Sequence, residues 1–149
     1  MARTFSSQRL VHIAATIAVV VTVLWAVLFM PRLDRHPEAV KDGAADSSKT
    51  FFRFLLVAAV VLLACAILSR LGGRIISGVI AGLLYLAAGL LFFHHFMVFN
   101  GAVYYLEEYE GFSAVAILML ICVGANLIAA ILAIKAGNKY RHLALPRDW

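Results

Sequence analysis

Apolar positions gather along this chain into four long runs, with polar and charged residues confined to short stretches between them. At 1.5 Å per residue, about 20 residues cross a hydrocarbon core about 30 Å thick. The first run, 11–30, is uncharged and meets Pro31, which is expected to stop it. The second, 51–68, carries Arg53 near its start and gives way to Ser69, Arg70, Gly72 and Gly73, a set of turn and charge residues. The third, 75–99, exceeds what a bilayer needs, so it is expected to tilt or to lift its last turn among the headgroups. The fourth, 112–134, is closed by Lys135, Gly137 and Asn138. The pattern predicts an all-α membrane protein, a four-transmembrane-helix bundle forming a single integral membrane domain over 1–149.

Composition sharpens this. The chain is 64% hydrophobic and only 14% charged, well outside the usual range of a soluble domain. The runs leave no room for a separate soluble catalytic module. Disorder, a disulfide scaffold and a nucleic-acid reader are excluded, because the hydrophobic fraction is so high and there are only 2 cysteines. The excess of basic residues then reports orientation more than an acidic partner. Arg3 and Arg9 precede the first run, Arg70 and Arg74 bracket the second connection, and Lys135, Lys139, Arg141 and Arg147 follow the fourth run. The connection 100–111 has no Lys or Arg and carries Glu107, Glu108 and Glu110. Both termini are therefore expected on the cytoplasmic side, or on the matrix or stromal side of an organelle. The first run outlasts a signal h-region and is followed by no A-x-A-like site, so it is expected to remain as a span.

Helix contact surfaces come next. Without a hydrophobic gain from pairing in lipid, helices associate where small residues allow close backbone approach. Gly78 and Gly82 form a GxxxG pair in the third run, with Gly89 nearby, and Ala125, Ala129 and Ala133 form a ladder in the fourth. These stripes serve packing inside the bundle or an interface with another subunit. Asn126, beside the ladder, is expected to bridge helices through its amide. Arg53 is expected to snorkel toward headgroups, with pairing to Glu107, Glu108 or Glu110 as the more specific possibility. Tyr104, Tyr105 and Tyr109 alternate with those acids as an interfacial belt, giving lipid or partner contacts.

His94 and His95 invite thoughts of a metal or haem, but neighbouring helix residues point about 100° apart and cannot face one metal together. The remaining intramembrane histidine, His12, belongs to the opposite end of its helix. The pair is read as structural, with a quinone or lipid headgroup as the possible cofactor contact. Cys65 and Cys122 lie within runs and are read as packing residues. No intramembrane carboxylate, proline-broken span, inverted repeat or catalytic motif is present in the runs, which argues against a proton relay, a self-contained carrier or catalysis by this chain.

Four helices with both tails inside, and stretches such as LLYLAAGLLFF and FSAVAILMLI, are loosely similar in architecture to the MARVEL-type tetraspan proteins of membrane apposition and trafficking. The likeness assigns no family. The expected role is a non-catalytic structural or accessory subunit, with no metal or cofactor of its own, whose partners are membrane lipids and other membrane subunits or copies of itself. One rival is an oligomeric pore or carrier lined by Asn126, Thr16 or Thr22. Another is a quinone- or haem-contacting subunit of a respiratory or photosynthetic complex.

Overall fold

A computed structural model describes the backbone of residues 2–108 and 113–146, with side chains for 6–99, 114–115 and 117–146. Its described residues form helix α1 (Ala2–Leu24), a π-turn (Trp25–Phe29), α2 (Met30–Arg35), α3 (Pro37–Lys41), α4 (Ala44–Leu68), α5 (Arg74–Glu108) and α6 (Ser113–Ala144). Four stretches are long and apolar enough to cross a membrane: Ser6–Arg35, Ala44–Leu68, Arg74–Phe99 and Ile117–Ala144.

The helix ends lie beyond those expected from the apolar runs. Pro31 does not stop the first span. The backbone N–H of Met30 bonds to the carbonyl of Trp25, which widens the helix by one residue just before the proline. A widened turn accommodates the ring and missing donor of a proline that would otherwise clash with the preceding turn. Pro31 then sits in the first turn of α2, where it is tolerated. The charged first connection is itself largely helical, and α4 starts at Ala44, ahead of Phe51, after Gly43 turns the chain at φ +74. At the other end, α6 runs through Gly137 and Asn138 to Ala144 because those residues are engaged by α5, as described below.

The tight connection from α4 to α5 passes through Gly73 at φ +116, a conformation that favours glycine. It forces the two helices to run antiparallel side by side. The long helices form a square in chain order: α1 beside α4, α4 beside α5, α5 beside α6, and α6 back against α1. The interior is small-residue rich, with Ala14 and Ala18 from α1, Ala58 from α4, Ala87 from α5 and Ala129, Ala133 and Ala136 from α6 all at 0% exposure. Such close backbone contact is how helices gain dispersion energy when lipid is as apolar as the core.

One end of the bundle is tied by polar contacts near both described termini. Gln8 Nε2 donates to the Ser69 carbonyl at 2.5 Å, and Lys139 Nζ donates to Ser6 Oγ at 2.7 Å. At the opposite end Lys49 pairs with Asp34 at 2.9 Å, linking α4 to α2.

Candidate functional site

The α5/α6 seam is the most elaborated contact in the bundle. As α5 climbs, α6 descends beside it. At the lower end a Cβ added to Gly78 would meet the Ala144 Cβ at 3.7 Å, ordinary van der Waals contact. Two turns further on, the Tyr85 ring lies so close to Gly137 that a Cβ there would stand 3.1 Å from it. The Tyr85 hydroxyl donates to Asn138 Oδ1 at 2.5 Å. Gly137 and Asn138 thus occupy a close approach and a hydrogen bond, and do not end the helix.

The upper half of the seam carries both histidines of α5. Their diverging side chains each reach α6. Asn126 Nδ2 donates to His94 Nδ1 at 3.0 Å, and His95 Nδ1 lies 2.9 Å from the Val123 carbonyl, with the His95 ring stacked on Phe99. An amide N–H can only donate, so Nδ1 of the neutral His94 ring accepts and Nε2 carries the proton. Likewise a backbone carbonyl can only accept, so His95 donates through Nδ1.

His94 also meets Trp25. The two rings are 5.7 Å apart and nearly perpendicular, the indole reaching across the centre of the square from the π-turn. Trp25, His94 and Asn126 are 2%, 1% and 0% exposed. Yet Trp25 Nε1, His94 Nε2 and Asn126 Oδ1 are buried with no hydrogen-bond partner. Buried polar atoms are almost always satisfied, so three in one side-chain cluster mark this place out. Trp25 was not among the residues singled out from the pattern; an indole inside an apolar run, not at its edge, is the signal that could have found it.

Beside the cluster, α1 and α6 leave a groove of about 270 Å³ lined by Thr16, Ile17, Val20, Val21, Leu24, Leu118, Ile121, Cys122 and Ala125. Its only hydroxyl, that of Thr16, is turned back to the His12 carbonyl at 2.8 Å. The wall facing the groove is therefore apolar.

The small-residue stripes separate. Ala129 and Ala133 are fully buried within the bundle, with Ala125 half-buried at the groove. On α5, by contrast, a Cβ added to Gly82 or Gly89 would meet nothing within 4 Å. Gly78 touches α6 while Gly82 does not, so the GxxxG pair does not pack as a unit within this chain. The two open glycines lie on an outward stripe with Ile75, Val79, Leu86, Phe93 and Phe96, spaced alternately by four and three residues.

Among the other candidates, Arg53 is exposed and has no ion-pair partner among the described residues. The side chains of Tyr104, Tyr105, Glu107 and Glu108, and all of Tyr109 and Glu110, lie outside the described residues, so their pairing with Arg53 is not placed. Thr22 donates to the Ala18 carbonyl of its own helix at 2.6 Å, and His12 is exposed midway along α1. Cys65 and Cys122 are both buried free thiols, and no group of three or more His, Cys, Asp or Glu could hold a metal among the described residues. Compared with protein-family models, with curated proteins and with solved structures, the chain matches none of them.

Proposed function

We propose that this chain is a non-catalytic, multi-pass membrane subunit that acts by helix packing within a larger membrane assembly, with the outward stripe of α5 as its contact face. One observation carries the reading. Ala129 and Ala133 of the α6 ladder are used up inside the bundle, whereas Gly82 and Gly89 face outward with open space over them. A glycine in a helix gives up helix propensity, which a lipid-facing position does not reward. Seven residues apart and flanked by Val79, Leu86 and Phe96, the two glycines make shallow holes between knobs, a shape that another helix fills. The bundle end bearing Ser6, Ser69 and Lys139 lies on the cytoplasmic-type side, by the excess of Lys and Arg in the segments that converge there.

The test is extraction in lipid nanodiscs from the native membrane, followed by the mass of the intact particle and identification of its components. The reading predicts a stoichiometric particle larger than one chain, which Gly82→Leu with Gly89→Leu reduces to the single chain. A wild-type particle containing one copy of this chain and nothing else would overturn it.

A further inference from the structure

The outward face of α6 has a different chemistry from the stripe of α5. Lys135 and Lys139 stand one turn apart on it, both exposed, and Asn138 between them accepts the hydrogen bond of Tyr85. Lys135 has no ion-pair partner among the described residues, and Lys139 donates one of its three N–H groups to Ser6 Oγ. The acidic side chains among the described residues, Asp34, Glu38, Asp42 and Asp46, all belong to the connection at the opposite end of the bundle. Two ammonium groups at the rim of a membrane span therefore take their counter-ion from outside the described chain.

Above the pair the same face turns apolar. Lys139, Lys135, Leu132, Ile128 and Ala125 follow one another at alternating spacings of four and three residues, so they share one side of α6. Ile128 is 55% exposed and Leu132 is partly exposed. Ala125 lines the α1/α6 groove at its end nearer the lysines. Ten residues, about 15 Å of helix, separate it from Lys135, which is half of a hydrocarbon core about 30 Å thick. A cationic pair with an apolar track one leaflet long above it matches the charged head and apolar tail of a phospholipid. An acidic peptide would meet the lysines and leave the track bare.

We infer that α6 carries a binding site for an anionic phospholipid, whose phosphate lies between Lys135 and Lys139 and whose acyl tail follows Leu132 and Ile128 to the lower edge of the α1/α6 groove. The N–H groups of Lys135 and the remaining ones of Lys139 donate to the phosphate oxygens. Arg70 and Arg74 do not share the site. Tyr85, bonded to Asn138, is eleven residues and about 16 Å along α5 from Arg74, and Arg70 lies in the connection beyond it. The site is separate from the contact stripe of α5 and does not depend on it.

The test is native mass spectrometry of the full chain in detergent, titrated with palmitoyl-oleoyl phosphatidylglycerol and separately with phosphatidylcholine of the same tails. The site predicts one saturable phosphatidylglycerol adduct, about tenfold tighter than the phosphatidylcholine adduct or more. Lys135→Gln with Lys139→Gln should remove that preference, and Arg70→Gln with Arg74→Gln should keep it. Ala125→Phe, which fills the edge of the groove, should weaken the phosphatidylglycerol adduct. Equal affinities in the wild type, a preference that survives loss of both lysines, a preference lost equally with both arginines, or an adduct indifferent to Ala125→Phe would overturn the inference. The comparison of the two lipids needs no substitution, so it stands even if a variant fails to fold.

Discussion

Adding volume to the two small-residue stripes should have opposite consequences for the isolated chain. Ala133 on α6 has no exposed surface and is one of several fully buried alanines of that helix. A leucine there must push α6 from its neighbour or force strained rotamers, and overpacking of this kind costs about 1–3 kcal/mol. Since each 1.4 kcal/mol is a factor of ten, Ala133→Leu should lower the folded-to-unfolded ratio by roughly 5- to 150-fold. Gly82→Leu meets no atom within 4 Å of the new Cβ. It removes a helix glycine whose propensity is about 0.8–1 kcal/mol worse than alanine, so the single chain should be unchanged or slightly more stable. The assay is equilibrium unfolding of each purified variant in mixed micelles, followed by helical circular dichroism against the mole fraction of denaturing detergent. If Gly82→Leu destabilises the single chain as much as Ala133→Leu, Gly82 is buried by this chain and the division of the stripes is wrong. An Ala133→Leu chain as stable as wild type would refute the packing of α6.

Three further substitutions probe other contacts. Gly137→Ala should press its methyl on the Tyr85 ring and weaken the bond to Asn138, a loss of about 1 kcal/mol that Tyr85→Leu in the same chain should relieve, read by the same unfolding assay. Leu84→Ala, at a site with no exposed surface, should cost about 2 kcal/mol through the cavity alone, because lipid exposure of the unfolded helix adds little to the usual transfer penalty. Lys49→Ala breaks a pair whose partners are both nearly half exposed, so the unfolding midpoint should stay at the wild-type value, at low and at high salt alike.

Length and apolarity carried most of the architecture. Four runs able to span a membrane are visible directly, because the bilayer imposes a minimum length that chance rarely meets. Helix ends were less legible, for a physical reason in each case. Pro31 and Gly137 both look like stops, yet the first is absorbed by a π-turn and the second lets an aromatic ring approach. Which stripe faces inward is likewise not a local property. Ala133 and Gly82 are both small, and only the square arrangement of helices buries one and leaves the other outside. The cluster of Trp25, His94 and Asn126 draws from three helical segments, with His94 and Asn126 separated by 32 positions, so no spacing rule brings it together. Each member shows as a polar group in an apolar run, but their convergence is a product of the antiparallel register of α5 and α6.

The contact role of α5 is tested most directly by cross-linking from its outward stripe in the native membrane. A photoreactive phenylalanine placed at Leu86, between the open glycines and 52% exposed, should give one discrete protein adduct, and the same residue at Val60 on α4, 58% exposed, should label lipid. Lipid adducts alone from Leu86, indistinguishable from those at Val60, would contradict the account.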